Sequence, residues 1–95
     1  MLVIRNVFQC KPGQAKALVK MFKETVARAQ MPSKTRVLTD VASSFWTVVF
    51  ETEAESLGAW EQEFERMSAR ADLRKPMEGY MDLVQSGKRE IFRIE

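Results

Sequence analysis

The chain has 95 residues, 45% apolar and 29% charged, with a net charge of +2, one cysteine and no histidine. This is the composition of a folded globular protein and excludes a disordered or fibrous chain. Without histidine there is no Ser-His-Asp triad, no His-activated thiol and no His-containing zinc site, and no apolar run approaches the roughly 20 residues that cross a bilayer.

A chain of this length is expected to form one domain, 1–95. Such a chain buries only about 60 to 65% of the surface its unfolded form exposes, so a second copy would add core. The opening Met-Leu-Val-Ile-Arg-Asn has no basic leader and runs straight into strand-like sequence, which predicts a cytoplasmic protein with no signal peptide. The lone Cys10 fits a reducing compartment and reads as a small buried hydrophobe. Charge is segregated: residues 1–40 carry eight Lys/Arg against two acids, and residues 41–65 carry six Glu and no base. A basic first helix and an acidic second one are read as complementary solvated faces, not as a nucleic-acid patch.

Leu2 to Cys10 reads as a strand, with Leu2, Ile4, Asn6 and Phe8 on one face and Val3, Arg5 and Val7 on the other. Pro12-Gly13 ends it. From Gln14 to about Gln30 the residues Ala15, Leu18, Val19, Phe22, Val26 and Ala29 recur at three- and four-residue spacings, which predicts an amphipathic helix. Met31-Pro32-Ser33 should break that helix. Lys34 to Val41 and Phe45 to Glu51, joined through Ala42-Ser43-Ser44, read as an antiparallel hairpin.

Thr52-Glu53-Ala54-Glu55 fits a capping box that would open a second helix, with a core stripe of Leu57, Trp60, Phe64, Met67 and Ala71. Residues 73–85 hold a shorter helical pattern of Leu73, Met77, Tyr80, Met81 and Val84. Ser86-Gly87 reads as its stop, and Lys88 to Glu95 as a last strand.

The order predicts an α+β, ferredoxin-like βαββα(α)β antiparallel sheet with the first and third strands in the middle and the helices on one face. Phe45-Trp46-Thr47-Val48-Val49-Phe50-Glu51 is apolar on both sides, yet three short helices cover one face only. The other face, Val3, Arg5, Val7, Phe45, Thr47 and Val49, is therefore expected to bury against a second copy of the chain. RNA-recognition modules share this plan, but they need a basic residue, a glycine and stacking rings on the third strand and an aromatic on the first. Here Ser43 and Ser44, Thr47 and Val3 stand in those places, so no nucleic-acid partner is expected.

The segments 3–16 (VIRNVFQCKPGQAK), 45–51 (FWTVVFE) and 86–95 (SGKREIFRIE) resemble the dimeric α+β barrel superfamily, in particular its NIPSNAP-like branch of small bacterial proteins. The resemblance implies a homodimer joined through its sheets and, in the enzymatic branches, a pocket between sheet and helices. Those branches include cofactor-free quinol or polyketide monooxygenases and haem-degrading monooxygenases. The latter use a first-strand asparagine, a tryptophan and a haem-ligating histidine; Asn6 and Trp60 match the first two, but the histidine is missing, and haem would need another ligand such as Tyr80.

Candidate pocket residues are Asn6, Trp46, Trp60, Tyr80, Met67 and Met77, with Met21 and Met81 beside them. Asn6 is the most informative, because an amide in an apolar layer must be hydrogen-bonded, either by the protein or by a ligand. Arg36 is expected to pair with an acid across the dimer. The chain is read as a binding or accessory module for a small apolar or aromatic ligand, with no cofactor, metal or membrane partner. The alternative is a cofactor-independent monooxygenase acting on a small aromatic or quinol substrate.

Overall fold

The computed structural model describes residues 1–31 and 34–95, so Pro32 and Ser33 of the expected helix break lie outside the described residues. The chain runs β1 (Leu2–Cys10), α1 (Ala15–Ala29), β2 (Thr35–Thr39), β3 (Thr47–Ala54), α2 (Leu57–Ser68), α3 (Ala71–Arg74), two 3-10 turns (Lys75–Met77 and Tyr80–Leu83) and β4 (Val84–Arg93). The strands form one antiparallel sheet in the order β2-β3-β1-β4. This is the expected ferredoxin-like α+β arrangement, with β1 central and paired along both edges. Among the described residues no helix is long and apolar enough to cross a membrane.

Strand register decides which side chains share a face, because residues directly opposite one another in paired strands point the same way. Asn6 lies opposite Phe50 and Arg89, and Phe8 opposite Val48 and Gly87. These face the helices. Val3 lies opposite Glu53 and Phe92, Arg5 opposite Glu51 and Glu90, and Val7 opposite Val49 and Lys88. These face away from the helices, together with Arg36 and Leu38 of β2.

The core sits where α1 crosses the sheet. Cys10, Leu18, Phe22 and Val48 are buried together, with Phe8, Val37, Phe50, Met77 and Tyr80 packed around them. The Phe22 ring lies 5.3 Å from Phe8 and 4.9 Å from Phe50, both tilted, the geometry that aromatic quadrupoles favour. Burial pushes the Cys10 thiol above its ordinary pKa. Before α1, the Gln14 amide bonds the Lys11 carbonyl at 3.0 Å, with Pro12 and Gly13 between them and Gly13 at φ +79°. A positive φ at the third position of such a turn is the reason for glycine there.

Five local expectations are corrected. The third strand begins at Thr47, not Phe45. The Asp40 carboxylate accepts the Thr47 amide at 2.9 Å and the Thr47 hydroxyl bonds the Ser44 carbonyl at 2.7 Å. Side-chain bonds of this kind offer the backbone an alternative to the ladder. Trp46 therefore sits in the turn at φ +62°. The strand also runs on to Ala54, because Leu2, Val3 and Ile4 of β1 give Ala54, Glu53 and Thr52 partners.

The α2 cap is accordingly Ser56, whose hydroxyl accepts the Ala59 amide at 3.1 Å. The Thr52 hydroxyl meets Thr35 at 2.9 Å instead. Ala71 opens α3 and is not part of the α2 stripe. Finally, Ser86-Gly87 is no stop: β4 passes through it, and a Cβ at Gly87 would meet the Val7 carbonyl at 3.2 Å and the Phe8 ring at 3.6 Å.

Arg70, between α2 and α3, holds α2 to the rest of the molecule. Its guanidinium donates to the Arg28 and Ala29 carbonyls at the end of α1, each at 3.4 Å, and grips both oxygens of Asp72 at 3.1 and 2.7 Å. The bond from Arg70 keeps the Asp72 carboxyl below the usual carboxylate range.

Truncating the core is expected to be costly: Leu18→Ala should lower unfolding stability by about 2–5 kcal/mol in urea titrations. Ser56→Ala should lower it by about 1 kcal/mol, whereas Glu55→Ala, which a Thr52 capping box would also penalise, should stay within about 0.5 kcal/mol. The Cys10 thiol should resist a soluble disulfide reagent in the native protein and react fully in denaturant; rapid native labelling would contradict its place in the core.

Candidate functional site: a cavity between the sheet and α2

α2 is amphipathic, yet none of its residues is buried, and Leu57 and Phe64 are each about half exposed. An apolar helix face left this open is unusual in a finished core. Under it lies a cavity of about 840 Å³, within the range of about 300–1,000 Å³ typical of small-molecule sites. The sheet contributes Asn6, Phe8, Phe50 and Thr52, α1 contributes Phe22 and Thr25, and α2 contributes Trp60, Phe64 and Met67. Met77 and Tyr80 follow from the 3-10 turns.

Five of the six pocket candidates meet here: Asn6, Trp60, Met67, Met77 and Tyr80. Trp46 does not. Since β3 starts one residue after it, Trp46 points elsewhere and borders a separate hollow of about 450 Å³ with Phe45, Lys16 and Asp40. Met81 is 70% exposed, and Met21 lies on α1 outside the cavity wall.

The residue missed by sequence reasoning is Arg89 of β4. Its Nε donates to Asn6 Oδ1 at 2.6 Å, a short charge-assisted bond. Its guanidinium stacks 4.7 Å from the Trp60 ring centroid and 5.6 Å from that of Phe64, and those two rings are 5.5 Å apart. The signal that could have found it is parity: once β4 pairs with β1, the register that faces Asn6 to the helices does the same for Arg89. The bond also satisfies the Asn6 amide oxygen, through a neighbouring strand of the same chain.

On the opposite face of the sheet, Val3, Arg5, Val7, Thr47 and Val49 lie together with Leu38 and Phe92. Phe45 does not join them; it stands in the turn, 80% exposed. Glu51 lies between two arginines, with Arg5 Nε 3.2 Å from one carboxylate oxygen and Arg36 Nη2 2.6 Å from the other. The Arg5 Nε–H is not aimed at Glu51, so that contact is an ion pair without a hydrogen bond, whereas Arg36 Nε donates at 2.7 Å. Arg36 thus pairs within its own chain, correcting the expectation of an acid across the dimer. The pairing follows from register, which sets Arg36 and Arg5 on either side of Glu51.

Chemically, the cavity offers apolar and aromatic walls and a cluster of hydrogen-bond donors at Arg89 and Asn6. Cys10, sealed in the core under α1, is not among its walls.

No protein-family model and no curated protein matches the sequence. Solved structures do match in shape. An uncharacterised NIPSNAP domain protein from Burkholderia xenovorans superposes with a TM-score of 0.86 at 13% identity, covering 100% of this chain and 95% of that one. A NIPSNAP family protein from Agrobacterium tumefaciens gives 0.82 at 12% identity over 97% and 90%. An antibiotic biosynthesis monooxygenase gives 0.72 at 14% identity over 100% and 99%. The chain therefore shares the fold of these NIPSNAP and monooxygenase structures.

Proposed function

We propose that this chain works as a single-domain cytoplasmic homodimer, sheet against sheet, that binds a small apolar or aromatic ligand in the cavity beneath α2 and serves as a binding or accessory module. The hollow itself carries the reading: a helix with Trp60, Phe64 and Met67 on its inner side stands over open space lined by Phe8, Phe22 and Phe50. Filling that space with an aromatic body would bury these rings, at about 25 cal/mol for each Å² of apolar surface removed from water. For the dimer, the support is the helix-free face, where Val3, Val7, Leu38, Val49 and Phe92 cluster around the Arg5-Glu51-Arg36 ion pairs. A second sheet would cover that apolar cluster.

A second reading is favoured by one comparison, the shared fold of a protein named as an antibiotic biosynthesis monooxygenase. Oxygenation without a cofactor requires a substrate that is its own reductant, such as a hydroquinone, which with dioxygen gives a hydroxyquinone and water. The site would have to hold the deprotonated ring, and the donors of Arg89 and Asn6 are suited to a phenolate oxygen.

For the dimer, light scattering should give twice the 11.0 kDa chain mass at micromolar concentration. Phe92→Glu, on the helix-free face and 48% exposed in the single chain, should return it to monomer with its fold intact. A wild-type monomer at that concentration would remove the sheet-to-sheet interface. For the cavity, 1-naphthol should quench Trp60 fluorescence in a Trp46→Phe background, and Met67→Trp should block it by filling the space. For the enzymatic reading, a hydroquinone panel should show oxygen uptake that Asn6→Ala or Trp60→Ala abolishes; no uptake across the panel leaves the binding module alone standing.

A further inference from the structure

We infer that the cavity selects ligands bearing a carboxylate, held by the free end of the Arg89 guanidinium. This rests on the binding reading above and goes further, by assigning the ligand a charge.

Arg89 has three relevant faces, and two are occupied. Its Nε bonds Asn6, and the flat of the guanidinium lies against Trp60. No carboxylate among the described residues lies within ion-pair distance of it. Its two terminal nitrogens are therefore fixed in direction by the Asn6 bond and the stacking, and they have no charge partner. A planar pair of N–H groups held in this way matches a carboxylate with two parallel bonds.

The neighbouring amide sharpens the choice. Arginine has only donors, so the Asn6 atom facing Arg89 Nε must be the carbonyl oxygen. With Oδ1 committed to Arg89, the remaining polar group of Asn6 is its NH₂, another donor. Together the two residues present donors to the cavity, a constellation for an anion and not for a hydroxyl that must itself donate.

The other charges at the cavity do not cancel this. Glu63 is held by Arg66, and Glu53, whose register turns it to the other face of the sheet, lies 4.0 Å from Lys34. Glu55 and Arg74, one of each sign, have no ion-pair partner among the described residues. With Phe8, Phe22 and Phe50 on the walls, the fitting ligand is an amphipath, a carboxylate on an aromatic or alkyl body. Arg89 is solvent-exposed, so a pair formed with it lies within reach of screening by salt.

The test is calorimetric titration at neutral pH with 1-naphthoate and its uncharged near-isostere 1-naphthamide. Wild type should bind the carboxylate at least about tenfold more tightly than the amide, with the margin shrinking at high salt. Arg89→Gln should erase the margin while still binding the amide, which also shows that the variant is folded, and Arg89→Lys should restore part of it. Equal binding of the two probes by wild type, or an undiminished margin in Arg89→Gln, overturns the inference and leaves the cavity reading intact. If neither probe binds wild type, both readings fall.

Discussion

The pairing of β1 along both its edges is the constraint on which the rest of the molecule depends. Because β1 lies between β3 and β4, one parity choice in a nine-residue strand sorts three strands at once. Even-numbered residues send Ile4, Asn6 and Phe8 toward the helices, and the odd ones send Val3, Arg5 and Val7 away. A slip of β1 by one residue would exchange these sets and place Arg5 under α1. The core, the cavity and the ion pairs of the helix-free face are thus one decision seen from three positions.

That parity was legible in the sequence, since Leu2-Val3-Ile4-Arg5-Asn6-Val7-Phe8 alternates well enough to place Asn6 among apolar neighbours. The α1 stripe was equally plain, and its Leu18 and Phe22 became core as their spacing indicated. What misled were residues whose side chains compete for backbone groups. Thr52 has the chemistry of a cap but takes a place in the ladder because β1 offers it a partner, and Ser56 takes the cap four residues later. Asp40 closes the β2–β3 link by accepting the Thr47 amide, which delays the start of the strand and moves Phe45 and Trp46 off the faces their pattern suggests. Long-range register decided the first case, and a local side-chain bond the second.

The candidate site was half legible for the same reason. Asn6, Trp60, Met67, Met77 and Tyr80 could be brought together because each belongs to an apolar or amphipathic pattern. Arg89 could not, since a lysine-, arginine- and glutamate-bearing stretch at the end of a chain reads as solvated surface. Its role depends on the side-by-side alignment of two strands 83 residues apart in sequence, which no window along the chain contains. The two arginine sites also contrast. On the helix-free face Arg5 and Arg36 flank a carboxylate and are electrically satisfied, while Arg89 is braced by an amide and two rings, none of which neutralises it.

The loose seating of α2 has a mechanical meaning. The α1–sheet core closes without it, and it is tied by the Arg70 clasp at one end and by Arg89 beneath Trp60 and Phe64. A guest beneath Trp60 and Phe64 would act as the missing piece of the hydrophobic interior, adding apolar contacts to a helix that has no buried residue of its own.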